Sequence, residues 1–243
     1  MILKVLGSSS AGNCYILEND SEALILEAGI KFAEVQRALN FNISKIVGCL
    51  ITHEHKDHAG HILEFPRFVP LFASKGTMDQ TYSAPNFRSI EANKQFSIGS
   101  FKILPFAAKH DATEPLGFFI NHAETGNILF ATDTYYLPCT FAGLNNILIE
   151  CNYRLDILEN NIAAGRVPMP MRNRIIQSHF SYEHCLQALQ ANDLRTVNNI
   201  VLIHLSDGNS NAQDFKEGIR KATGKTVYVA DKGMQILFNK TPF

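Results

Sequence analysis

Short runs of β-branched, leucine and aromatic residues, separated by turn formers, dominate the first half of the chain. Residues 2–6, 14–17, 23–26, 46–51, 69–73, 101–106, 117–121 and 128–131 each have a strand's length and composition. Helical periodicity appears at residues 32–39 and around residues 59–65. The second half alternates instead. Residues 147–149 predict a strand, 155–164 and 182–191 helices, 200–203 a strand and 214–222 a helix. Residues 227–229 and 235–238 predict two closing strands. Strands first, then mixed strands and helices, suit an α/β fold of two mixed sheets packed face to face with helices outside. No repeat, low-complexity tract or linker interrupts the pattern, so residues 1–243 are expected to form a single domain.

Composition narrows the class without naming a chemistry. With 243 residues, 46% hydrophobic and 19% charged, the chain can bury a substantial core. A formal net charge of −1 advertises no global affinity for nucleic acid, so any basic surface must be local. The opening MILKVLGSSSAGN is unlike a secretory signal, and no run approaches the ~18 apolar residues of a membrane span. The five cysteines form no C-x-x-C pair and predict reduced thiols in a cytoplasmic protein with no membrane partner.

The chemistry concentrates in THEHKDHAGH, residues 52–61, directly after the apolar run 46–51. Four of the chain's nine histidines lie in these ten residues. A polar loop that is histidine-rich by accident is one reading. The other is a metal site, because imidazoles bind borderline metals and a carboxylate among them suits a site that also holds water. Spacing favours the metal. His53 and His55 alternate as the strand ends and can point the same way, while Asp57 and His58 follow where a helix begins.

One loop supplies too few donors for two ions, and the remaining candidates share a placement. His110 in AAKHDATEPLGF, Asp133 in LFATDT and His204 in VLIHLSDGNSN each end a predicted strand and precede small or polar residues. Asp133 could bridge two cations by offering an oxygen to each. Two metals ~3.5–4 Å apart clamp the attacking and leaving oxygens of a displacement and make hydroxide at neutral pH.

THEHKDH, His110, Asp133 and His204 resemble, in order and over nearly the whole chain, the metal motifs of the metallo-β-lactamase superfamily. GSSSAGNCYILE, KHDATEPLGF, IECNY and HLSDGNSN bring the resemblance closest to the small WalJ/YycJ-type members, which are related to tRNase Z and RNase J cores. The resemblance implies an αββα sandwich with the site along one edge of the sheets. It implies His53, His55 and His110 on one metal, Asp57, His58 and His204 on the other, and Asp133 between them. Zinc is the expected ion, with manganese compatible. Glu27 stands where relatives carry Asp, and is expected to orient the histidine loop from behind the ligands. His179-Phe180-Ser181-Tyr182 replaces the His-Leu-Ser-Asn usual in WalJ-type relatives.

Other residues admit two readings each. Glu150 ends a strand and His179 precedes a helix, so they are either a strand cap and a loop residue or a pair that protonates a leaving oxygen. Asp57, His179 and Glu150 are the candidate catalytic residues. Ser8, Ser9, Ser10, Gly12 and Asn13 form a small-residue loop that could hold phosphate oxygens, with Ser8, Ser9 and Asn13 as its substrate-binding candidates, although tight-turn chemistry explains it as well. Arg154, Arg166, Arg172 and Arg174 form a solvated face or a phosphodiester track, with Arg172 and Arg174 as substrate-binding candidates. His61, His122 and His184 are expected to be structural or surface residues, and Glu54 and Lys56 to face solvent. Together these readings imply a dinuclear metal hydrolase, foremost a nuclease or other phosphodiesterase acting on nucleic acid. Hydrolysis of a small ester, thioester or lactone is the rival within enzymes, and a metal-binding regulatory module the rival outside them.

Overall fold

The computed structural model describes residues 1–81 and 84–242. A hairpin of β1 (Ile2–Ser9) and β2 (Gly12–Glu18) starts the first sheet, and β3 (Ala23–Leu26) adds antiparallel to β2. β4 (Ile46–Leu50), β5 (Leu71–Ala73) and β6 (Phe87–Ser89) then extend it in parallel. The second sheet begins with the antiparallel strands β7 (Phe96–Ile98), β8 (Phe101–Ala107), β9 (Leu116–His122) and β10 (Gly126–Ala131). β11 (Leu144–Glu150), β12 (Asn199–Ile203) and β13 (Thr226–Val229) continue it in parallel. β14 (Gln235–Leu237) crosses back to pair with β1, so among the described residues each sheet has seven strands and mixed direction.

Side-chain alternation explains why so many strands are apolar at successive positions. In β2 and β3, Tyr15, Leu17, Leu24 and Leu26 point inward and meet Phe118, Phe130, Leu148 and Val201 of the second sheet. Their neighbours Cys14, Ile16 and Ile25 point outward, under Phe32 and Val35 of α1 (Phe32–Ala38). On the far side, Leu129, Ile147, Ile149 and Leu202 pack on α6 (Tyr182–Ala191) and α7 (Ala212–Thr223). A strand buried on both faces has no polar face to alternate with. The layers are therefore helix, sheet, sheet, helix, as expected. No helix among the described residues is long and apolar enough to cross a membrane.

Local departures from expectation have physical causes. The helix expected around residues 59–65 is instead α2 (Lys56–Ala59) followed by a 3₁₀ turn at Ile62–Glu64. Gly60 caps α2, Pro66 bars continuation, and the His61 N–H goes to the Ala28 carbonyl at 3.0 Å rather than to a helical partner. α3 (Lys75–Gln80), capped by Ser74, and α5 (Met169–Ser178) were not expected, nor were the three-residue strands β6 and β7. α4 (Leu155–Ala163) falls where the pattern placed it.

One edge of the sandwich collects the chemistry. Thr52 and His53 follow β4, Glu27 follows β3, and Asp133 follows β10. Glu150 is the last residue of β11, and His204 follows β12. Carboxyl ends of parallel strands are where open α/β sheets place ligands. Glu27, Asp133 and His204 each turn out of their strand with positive φ, 70°, 47° and 53°. Residues other than glycine rarely adopt that conformation, so the surroundings must hold it, as functional sites do.

Candidate metal centre

Seven side chains from four chain segments converge at this edge. Donor atoms of His53, His55, His110 and Asp133 lie within 4.8 Å of one another, and so do those of Asp57, His58, Asp133 and His204. Asp133 belongs to both groups. The split matches the two ligand sets that the resemblance implies.

Most of the donors are aimed by a neighbour. With its proton on Nδ1, His53 donates to Thr52 Oγ1 at 2.9 Å and leaves Nε2 bare. His110 Nδ1 donates to the Ser178 carbonyl at 2.8 Å, which turns Nε2 inward. His58 sets Nδ1 3.5 Å from the Glu27 carboxylate and Nε2 3.2 Å from Asp57 and 3.3 Å from Asp133. Glu27, despite its extra methylene, thus reaches the histidine loop from behind. Thr132 Oγ1 donates to Asp133 Oδ1 at 2.9 Å, and the Ser8 hydroxyl accepts the His204 N–H at 2.9 Å. The Asn152 amide donates to the His204 carbonyl at 2.8 Å and lies 3.1 Å from Nδ1. Such outer contacts fix tautomer and ring orientation in metal sites.

The residues fit a cation. The His53 Nε2 is fully buried yet has no hydrogen-bond partner among the described residues. His55 Nδ1 and His110 Nε2 face each other at 3.1 Å with the His110 proton spent elsewhere. Imidazole lone pairs and carboxylates that converge without protons between them repel unless a positive charge sits among them. Burial, reinforced by the neighbouring His58, depresses the His53 pKa well below the ordinary imidazole value, and burial lowers that of His110. Both therefore present the neutral form that binds metal. Burial opposes charge on Asp57, but bonds from His204 and His58 hold its pKa well below the usual carboxylate range. Asp133 is held down in the same way by the charges of His204 and His58.

The floor of the loop depends on close backbone contact. The Ala28 N–H donates to the His58 carbonyl at 2.7 Å, and Gly29 lies directly against the Asp57 carbonyl. A Cβ on Gly29 would come 1.7 Å from that oxygen. Gly29→Ala should therefore cost at least about 3 kcal/mol in denaturant unfolding, since backbone rather than a flexible side chain must move. Gly208→Ala, where a Cβ meets nothing within 4 Å, should stay within about 0.5 kcal/mol of the parent. Equal effects would show that residue 29 has room.

A cleft of about 380 Å³ opens over the donors, walled by Ser10, Asn152 and Asn209 and by Met171, Arg174 and Ile175 of α5. His179 also lines it. Its Nδ1 lies 2.6 Å from Glu150 Oε1, while Glu150 Oε2 accepts the Thr134 and Phe180 N–H groups at 3.2 Å each. Burial opposes the imidazolium, but the Glu150 carboxylate outweighs it and raises the His179 pKa to about 9.

The other candidate residues take up varied positions. Ser8 is spent on His204 and the Tyr15 hydroxyl, and the Ser9 hydroxyl on the Ala11 N–H; of the three loop serines, Ser10 lines the cleft. Asn13 lies behind the cage, its amide 3.3 Å from the Asp57 carboxylate and 3.2 Å from His58 Nε2. Arg172 pairs with Glu159 and lies outside the cleft lining, whereas Arg174 lines it and pairs with Asp111 at 3.0 Å. Arg154 pairs with Asp156. Lys56 is exposed as expected, but Glu54 accepts the N–H and hydroxyl of Thr113, each at 2.8 Å. His61 and His122 bond Glu64 and Glu22, and His184 is exposed. The roles of Thr52, Thr132 and Asn152 escaped the sequence reading. Thr52 and Thr132 lie next in sequence to a residue it had singled out and Asn152 lies two positions from Glu150, which is the only local signal they carry.

This fold and this cage define a class. Residues 24–205 match the β-lactamase superfamily domain, and the chain belongs to that family. Over 223 residues it is 26% identical to exodeoxyribonuclease YycJ of Bacillus anthracis, covering 85% of this chain and 83% of that protein. Over 229 residues it is 28% identical to exodeoxyribonuclease WalJ of Streptococcus pneumoniae serotype 2 (strain D39), covering 85% and 82%. Among solved structures, the metallo-β-lactamase fold protein YhfI from Bacillus subtilis superposes with a TM-score of 0.72 over 97% of this chain and 98% of that one. At 13% identity that likeness concerns the fold alone.

Proposed function

We propose that the chain is a divalent-metal-dependent phosphodiesterase acting on nucleic acid, with DNA the foremost substrate. One observation carries this reading: two donor groups sharing Asp133 open into the same cleft as the hydrogen-bonded His179–Glu150 pair. A pure metal store needs no proton donor beside its ions. His53, His55 and His110 would hold one ion, Asp57, His58 and His204 the other, and Asp133 both, with zinc the first candidate and manganese compatible. Bound there, two divalent ions would supply a nucleophile at neutral pH and neutralise charge on a phosphoryl oxygen. The chain's own part is separate. Glu150 orients His179 and favours its charged form, and His179 gives its proton to the departing alkoxide. Arg174 offers a guanidinium to a phosphate at the cleft mouth.

The two curated relatives named above, both exodeoxyribonucleases, support this substrate class. Residues 1–243 read as a single domain, since both sheets contribute to one inner core. The cysteines are free among the described residues, which fits a reducing, cytoplasmic setting.

A panel of labelled DNA, RNA and small phosphodiesters, run beside lactones and thioesters with metal-reconstituted protein, tests the reading. Cleavage of DNA is expected. Turnover of a lactone or thioester with none of any phosphodiester would replace it with the small-ester reading. Arg174→Gln should weaken single-stranded DNA binding and flatten its salt slope by roughly 0.7, as for one lost phosphate contact. Arg172→Gln, already engaged with Glu159, should change both much less.

A further inference from the structure

The wall that α5 presents to the cleft has an unusual make-up. Met171, Arg174 and Ile175 are spaced i, i+3 and i+4, so they form one helical face, and all three line the cleft. Met171 is 50% exposed and Ile175 half-buried, so neither is spent on the hydrophobic core. An exposed apolar pair beside a metal cage does nothing for the ions or for a bare phosphate. The helix is nonetheless tied to the chemistry at its C-terminal end, where the Ser178 carbonyl accepts from His110 and His179 follows.

Resting on the phosphodiesterase reading, we propose that this face of α5 selects the substrate by holding the nucleoside next to the scissile phosphate. Met171 and Ile175 cover the base and sugar while Arg174 takes the phosphate. Two further features commit the occupant to a nucleotide unit of the substrate strand. The apolar pair is continuous with the cleft that contains the donors, and among the described residues the cation on the face is Arg174. Arg174 is held by an ion pair with Asp111 whose members are 64% and 41% exposed. Such a pair contributes little, so a phosphate can take the place of Asp111 at small cost. A base covered on one face by a protein side chain cannot stay stacked between two neighbours inside a duplex, so the face favours single strands or strand ends.

The test uses the metal-loaded full chain and the double variant Met171→Ala/Ile175→Ala. Three esters share one leaving group: the 5′- and 3′-(p-nitrophenyl phosphates) of thymidine, and methyl p-nitrophenyl phosphate. On the better thymidine ester, kcat/KM should fall about tenfold, as expected for truncating two apolar contacts, with the methyl ester unchanged. Calorimetry with thymidine 5′- and 3′-monophosphate against methyl phosphate supplies a readout independent of turnover. The parent should bind one nucleotide more tightly than methyl phosphate, and the double variant should lose most of that margin. The milder Met171→Leu/Ile175→Val should retain it. An equal fall on all three esters would make the face structural and overturn the proposal, as would no change on any. A parent that hydrolyses none of the three but opens a lactone would instead remove the phosphodiesterase reading beneath it.

Discussion

Asp133→Ala is expected to lower bound metal from about two ions per chain towards one or none. The physical reason is that its carboxylate lies in both donor groups, 3.6 Å from His53 and 3.3 Å from His58, and 3.4 Å from His110 and 3.7 Å from His204. Losing it leaves each group short of a ligand and removes the negative charge that both ions would share. Elemental analysis of the purified variant provides the measurement, with unfolding monitored to confirm that the sandwich persists. His61→Ala is the control, because His61 bonds Glu64 outside the cage, and occupancy there should match the parent. Full occupancy in Asp133→Ala would mean that Asp133 is not the bridge. Nucleolytic activity should fall with the metal content.

His179→Ala should separate proton donation from ligation. It is expected to keep its metals and bind DNA, yet lose roughly 10²–10⁴-fold in turnover, the usual worth of general acid help. The loss should shrink with a p-nitrophenyl ester, because nitrophenolate departs without a proton. The charged form of His179 is the donor, so turnover of the alkoxide substrate should fall as pH rises through its pKa. His179→Ala should lack that limb. An alternative has a structural basis, since donor atoms of Asp133, Glu150, His179 and His204 also lie within 4.8 Å of one another. Metal loss in His179→Ala would assign His179 to a ligand role. An equal loss on both kinds of leaving group would remove it from acid catalysis.

The candidate cage was legible from sequence because each of its parts is local. His53, His55, Asp57 and His58 lie within six residues of one another, and His110, Asp133 and His204 each mark a strand's end by following an apolar run. A strand that ends at the protein edge leaves its next residue there, whatever the rest of the chain does. The two-sheet layering was legible for a related reason, since runs apolar at successive positions must be covered on both faces.

Which side chain meets the cleft was another matter, and tertiary geometry decided it. The β1–β2 ladder shifts register between Val5 and Gly7, and one inserted residue exchanges inward and outward faces downstream. No spacing in GSSSAGN could therefore tell Ser10 from Ser8 and Ser9. Arg172 and Arg174 illustrate the same dependence. Two residues apart, they would share a side of a strand but fall on different faces of a helix. α5 was not legible because polar residues divide its few apolar ones, and the face that Met171 and Ile175 share is too short to signal a helix. By itself the sequence determined the fold's layers and pointed to the side chains of the candidate metal cage, through patterns confined to single strands and their ends. Only the folded chain decided which polar groups stand behind the cage and which face substrate, because those choices turn on a bulge, a helix's phase and contacts between distant segments.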